Sequence, residues 1–132
     1  MTQEDKDLLL KDLCARLPYG VCFLAYKVRY GGTDVTIFDK EKMMGIVEDT
    51  IISQSESFSI EKVRPYLRPM SSMTEEEYKE YSKLWDLQNE FPTDADIRFK
   101  TDVFDWLNAH HFDYRRLIEK GLAIEAPEGM YN

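Results

Sequence analysis

Residues 21–38 read VCFLAYKVRYGGTDVTIF, and this stretch decides the fold. Aromatic and β-branched residues dominate it, as they do in strands. In 21–30, Cys22, Leu24, Tyr26, Val28 and Tyr30 fall on one face of a strand. Val21, Phe23 and Ala25 fall on the other, followed by Lys27 and Arg29. Such a strand is expected to be buried on both faces at its start and on one face at its end. Gly31-Gly32 supplies a hairpin turn, and residues 33–38 return as a second strand.

Beyond the hairpin, DKEK (39–42) reads as the next turn. MMGIV and TIIS, within 43–53, form one long or two short strands with Gly45 as a bulge. SQSES is a polar turn, and FSI (58–60) is a further short strand. Short strands joined by tight turns predict a small antiparallel sheet, either a meander or a partly open barrel.

N-terminal to the sheet, residues 2–17 predict a helix. Thr2 caps it and Asp5 meets its dipole. Leu9, Leu13 and Leu17, with Leu10 and Cys14, make its apolar stripe, and Pro18-Tyr19-Gly20 ends it. C-terminal to the sheet, residues 61–73 read as an extended connector. Pro65 and Pro69 in VRPYLRPM exclude a regular helix or a central strand there.

Residues 74–121 read as helical. Thr74 and Glu77 form a capping box, with Met73 and Tyr78 as a hydrophobic staple. The first helix covers 75–89, with Tyr78, Tyr81, Leu84, Trp85 and Gln88 on one face and Phe91-Pro92 beyond its end. A second covers about 102–110, capped by Thr101, with Val103, Phe104 and Leu107 inward. A third covers 114–120, capped by Asp113 and stopped at Gly121, where Leu117 and Leu122 make the accompanying apolar contact. The tail, 122–132, carries no periodic signal. The whole is a single α+β domain: an N-terminal helix, a small antiparallel sheet, then a C-terminal helical cap.

Composition narrows the function classes. Of the 132 residues 43% are hydrophobic and 32% charged, which fits a globular chain rather than a disordered one. The net charge is −8, and it is uneven. Residues 1–70 hold ten Lys and Arg against eleven Asp and Glu, whereas 71–132 hold seven against fourteen. Duplex nucleic acid, which demands clustered positive charge, is therefore disfavoured as a partner. The acidic start lacks a secretory signal, no run is long enough to span a membrane, and a cytoplasmic location is expected.

Cys14 and Cys22 form no CxxC pair. Both sit in apolar patterns, so reduced, structural thiols are expected rather than nucleophiles. His110-His111 is the only histidine pair, with Asp113 three residues on. Adjacent histidines diverge on a helix and too few ligands converge, so neither a metal site nor a cofactor is expected. The pair instead suits a helix C-terminus, and Glu75, Glu76 and Glu77 suit a helix N-terminus. No phosphate loop, nucleophile elbow or dinucleotide fingerprint occurs, and no catalytic residue is assigned.

The candidate binding residues are Arg64, Tyr66 and Arg68. They alternate in the proline-bracketed connector, which places them on one side of an extended chain. Two guanidiniums around a phenol suit a carboxylate, a phosphate or a base. The competing reading makes them struts, with the arginines paired to the acidic helices that follow.

Three segments carry a resemblance: LCARLPYG (13–20), RPYLRPMSSMTEEEY (64–78) and HHFDYRRLIEKGLAIEAPEGMY (110–131). Together they resemble a family of short, uncharacterised bacterial proteins from gut anaerobes and their phages or mobile elements. Residues 22–62 are less typical, and Arg116 stands where the family pattern often has glycine. The family has no known activity, so no residue role is carried over. It implies an intracellular bacterial or phage setting and little else; an accessory factor of a phage or mobile element is an expectation that goes beyond it.

The function expected from all this is a non-catalytic protein-interaction module with a protein partner. Two alternatives stay open. One is a small β module that binds nucleic acid through Lys27, Arg29, Arg64 and Arg68. The other is an enzyme whose site only the fold assembles.

Overall fold

The structure, a computed structural model, describes residues 1–29, 31–32, 34–90 and 103–131. It is an α+β architecture with an N-terminal helix, an open six-stranded sheet and further helices. Helix α1 spans Gln3–Arg16, and Thr2 caps it reciprocally. The Asp5 N–H donates to Thr2 Oγ1 at 3.1 Å, and the Thr2 N–H donates to the Asp5 carboxylate. A 3₁₀ turn, Leu17–Tyr19, follows and ends at Gly20 with φ +69°. A side chain there would be strained, and its Cβ would sit 2.8 Å from Cε of Lys42.

The strands are β1 (Cys22–Arg29), β2 (Asp34–Val47), β3 (Thr50–Ser53), β4 (Ser57–Ser59), β5 (Val63–Leu67) and β6 (Ile124–Glu125). Their spatial order is β4-β3-β2-β1-β5-β6. The first four make the expected antiparallel meander, and β5 then pairs antiparallel with β1. Among the described strand pairs, only the last, β5 with β6, is parallel. The meander curls, so Phe58 of β4 packs edge-on against Phe23 and Phe38.

Several expectations need correction. DKEK is not a turn: β2 runs straight through it for 14 residues. Asp39 and Lys40 together oppose Leu24, and Lys40 has φ +56°, so the polar cluster encodes a bulge. A second register shift, between Met43 and Gly45, is the bulge foreseen at Gly45. There β2 changes partners, from β1 to β3.

The connector also contains a strand of the sheet. Val63–Leu67 lies between β1 and β6, Pro65 included. The strand tolerates Pro65 because its two flanks are used in different halves. β1 pairs with residues 63–65, whereas β6 pairs only with Tyr66 and Leu67.

The tail is ordered by β6, by the Ala126 N–H on Leu67 O, and by Tyr131. Residues 114–120 are turns rather than a helix. Asp113 does cap, accepting from the Leu117 and Ile118 N–H groups at 2.8 and 2.9 Å. Arg116 then leaves helical space at φ +61°, a conformation that glycine favours.

Two apolar clusters hold the molecule. The larger places Leu9 and Leu13 of α1 on Phe23, Ala25, Met43, Ile51, Phe58 and Val63 of the sheet, with Leu117 and Leu122 closing one end. Leu9 and Leu13 of the expected stripe are buried and Leu10 and Leu17 pack against this cluster, but Cys14 is exposed. The fully buried line runs Leu9–Asp12–Leu13–Arg16. The smaller cluster is Val103, Leu107 and Phe112 against Met70, Met73, Tyr81, Leu84, Trp85, Trp106 and Tyr114. It joins helix α2 (Glu75–Glu90) to the helical residues 103–109. Thr74 and Glu77 form their capping box. Tyr78 and Phe104 are exposed, against expectation, because Tyr81, Trp85 and Leu107 fill the seam. Thr101, Phe91 and Pro92 lie outside the described residues.

Candidate functional site

The proline-bracketed residues do not share one environment. Tyr66 is buried and its hydroxyl donates to the Asp39 carboxylate across β1. That bond, with burial second, pushes the phenol up to about 12. Arg68 makes a bidentate pair with Glu77, both contacts at 2.7 Å. Its guanidinium also lies 4.2 Å over the Phe112 ring. The pairing holds the Glu77 carboxyl down at about 2, with the Thr74 N–H assisting against burial. Arg68 thus couples the two apolar clusters through an acid of α2. Arg64 is half-buried, and its guanidinium donates to Val63 O at 2.8 Å.

Arg68 and Glu77 form one wall of a cleft of about 620 Å³, with Ser72 and Thr74. His110, His111, Glu125–Gly129 and Tyr131 also line it. The charged lining is Glu77, Glu125 and Glu128 against Arg68, so an anionic ligand is disfavoured. His110 Nδ1 lies 2.8 Å from Trp106 O, a carbonyl at a helix C-terminus, and therefore carries its proton there. Among the described residues, no group of three or more His, Cys, Asp or Glu is placed to hold a metal ion.

Behind the cleft lies a polar joint that the sequence did not reveal. Asp12 and Arg16, both 0% exposed, pair at 2.7 Å. Arg16 Nη2 also donates to Phe112 O at 2.6 Å, and Arg115 reaches Asp12 at 3.4 Å. His111 has φ +63° and stacks on Tyr131 with ring centroids 3.7 Å apart. Burial, then the positive charge of Arg16, pushes the imidazole down to about 4, so it is neutral at pH 7.

The Tyr131 hydroxyl is wedged between two strands of the sheet. It accepts from the Cys22 N–H at 2.9 Å and donates to Tyr66 O at 2.6 Å. A side chain from the tail thereby continues the β1–β5 ladder past Pro65. Among the described residues, Arg16 Nη1 and His111 Nδ1 are buried without a hydrogen-bond partner. The i,i+4 spacing of Asp12 and Arg16 was the available signal, but such pairs are ordinarily exposed. Cys22 is half-buried, and burial raises its thiol above the ordinary range.

The third feature is an exposed apolar face. Tyr26 opposes Ile37, and Val28 opposes Val35, on the side of the hairpin away from the core. Their exposures are 40, 69, 44 and 60%, in that order. The end of β1 was expected to be buried on one face; α1 and β4 instead cover the Phe23–Ala25 side. Met44 and Val47, 60 and 59% exposed, lie further along β2. Leu24 and Arg64 are directly opposite one another, which puts Arg64 at the margin of this face.

No helix among the described residues is long and apolar enough to cross a membrane. No protein-family model matches the chain, and neither the curated proteins nor the solved structures contain a match to it.

Proposed function

We propose that this protein is a non-catalytic interaction module that binds a protein partner through the outer face of its β1–β2 hairpin. The supporting observation is the exposure of Tyr26, Val28, Val35 and Ile37 as two adjacent cross-strand pairs. Contiguous apolar surface of this kind marks contact sites, whereas singly scattered residues do not. Arg64 and Lys62 flank the patch, the latter with its ammonium 4.8 Å from the Tyr26 ring centroid. A rim of cations and aromatic side chains around an aliphatic centre is the composition of a protein contact.

The cleft supports catalysis less well. Arg68 and Glu77 satisfy each other, His110 Nδ1 is bound to a carbonyl, and the Tyr131 hydroxyl is spent on two backbone groups. What remains is not an acid–base pair with a nucleophile beside it.

The test compares immobilised wild type with Val35→Lys/Ile37→Lys, with and without nuclease, after circular dichroism has confirmed the variant's fold. Proteins retained by the wild type should be lost from the variant and survive nuclease. Identical retention by both overturns the reading, and material released by nuclease replaces it with nucleic-acid binding.

A further inference from the structure

The backbone of β2 narrows the choice of partner. β1 pairs with one flank of β2 from Asp34 to Lys42, and β3 pairs with the other flank only from Met43 onward. Among the described residues, no strand lies beside the second flank between Asp34 and Lys42. The corresponding flank of β1 differs. There Tyr26, Lys27 and Val28 line a common pocket with Ser57–Ser59 of β4 and with Lys62.

Natural sheets guard an open edge with charge, proline or brevity. Residues 35–38 of β2, VTIF, carry none of these, and Val35 and Ile37 are among the most exposed apolar residues of the molecule. Charge appears only at the ends, as Asp34 on one side and Asp39, Lys40, Glu41 and Lys42 on the other. Neither Asp34 nor Lys40 is ion-paired among the described residues.

We propose, resting on the interaction reading above, that the partner at this edge is a second copy of the same chain. The two β2 edges pair antiparallel about a twofold axis at Ile37. In that register Ile37 faces its own copy, Thr36 faces Phe38 and Val35 faces Asp39. Asp34 meets Lys40 at both ends, so the edge is self-complementary in charge.

Antiparallel pairing permits only shifts of two residues, because a shift of one turns side chains and hydrogen bonds the wrong way. Moving the axis to Thr36 sets Asp34 against Phe38. Moving it to Phe38 carries the ladder on through the bulge to Glu41 and Lys42. The axis at Ile37 instead ends the ladder at the bulge, with the opposite charges of Asp34 and Lys40 as its outermost pair. It also places Val35 and Ile37 of both copies on one face, which merges the two apolar patches. The arrangement is closed, so it hides the edge without propagating a fibre.

Sedimentation of the full chain across about 1–500 μM tests this, a range matched to a small interface. Wild type should show a monomer–dimer equilibrium. Asp34→Lys or Lys40→Asp alone should weaken it at least about tenfold by setting like charges opposite each other. The double exchange should recover it to within about threefold. Ile37→Cys in a Cys14→Ser background, spin-labelled, should show strong dipolar broadening, since facing Cα atoms lie about 5 Å apart.

A chain that stays monomeric throughout overturns the proposal. So does a dimer that ignores both charge exchanges and shows no broadening, because its contact lies elsewhere. Failure here leaves the interaction module to stand or fall on the Val35→Lys/Ile37→Lys comparison, which reads a foreign partner.

Discussion

The joint between α1 and residues 112–115 and the outer face of the hairpin reverse the usual placement of residues. At the joint, Asp12 and Arg16 are withdrawn entirely from water. On the hairpin, Val35 and Ile37 stand in it. Both depart from the rule that charge lies outside and aliphatic surface inside, but for different reasons. The buried ions are held by groups from distant parts of the chain: Phe112 O, Arg115 and the Tyr114 ring, 5.4 Å from the Arg16 guanidinium. They fix how residues 112–115 dock on the helix. Among the described residues the exposed aliphatics contact no comparable partner, so their cost in water calls for one outside the fold. A polar group inside is thus a statement about assembly of the chain, and an apolar group outside is a statement about contact.

The sharpest way to break that contrast is Arg16→Met. It leaves Asp12 buried with only the longer contact to Arg115, and Phe112 O loses its shorter hydrogen bond, keeping the Tyr114 N–H at 3.2 Å. A loss of about 3–5 kcal/mol is expected by chemical denaturation. A loss under about 1 kcal/mol would mean that water reaches the pair, and the joint would be ordinary surface.

The next largest effect is on pH dependence. His111 has a folded value of about 4 against an ordinary 6.5, so the unfolded chain takes up a proton first as pH falls. Its contribution is complete above about 6.5 and is lost as pH drops toward 4, to a total on the order of 3 kcal/mol. Glu77 acts over a lower window: its contribution is present above 4.5 and disappears toward about 2. His111→Asn keeps a residue that tolerates positive φ and should flatten the slope of stability between pH 6.5 and 4. A slope unchanged in the variant would assign it to other groups.

Tyr131→Phe sharpens the comparison at a single oxygen. The ring and its stacking on His111 stay, but the Cys22 N–H and Tyr66 O lose their shared partner. A cost of about 1–3 kcal/mol is expected, with faster amide exchange at Cys22. Exchange at Cys22 as slow as in wild type would show that the two strands close on each other unaided.

The smallest effect on stability is expected on the hairpin. Ile37→Lys should shift the denaturation midpoint by no more than about 0.5 kcal/mol, since that side chain is mostly in water already. A larger loss would mean that the outer face is covered within the folded chain and is no contact surface.

Short-range chemistry was legible in the sequence. The Thr2 and Thr74 caps, the turn at Gly31-Gly32 and the bulge at Gly45 all rest on residues within four of one another. The α+β order followed from where strand-like and helix-like periods begin and end. Alternation also divided β1 into its two faces, but it could not say which face α1 and β4 would cover. Phe23 went inside, and Tyr26 and Val28 stayed out. The connector shows the same limit. Arg64, Tyr66 and Arg68 alternate as read, yet Glu77, Asp39 and Phe112 decide what two of them do.

The sequence by itself determined the local conformation, because caps, turns and periodicity are energies of neighbours. Only the tertiary structure decided the rest. The Arg16 donor to Phe112 O spans 96 residues, and the Tyr131 wedge reaches 109 residues back to Cys22 and 65 to Tyr66. Such contacts are selected by the packing of the whole chain, since a polar group taken out of water must meet whatever partner the fold brings to it.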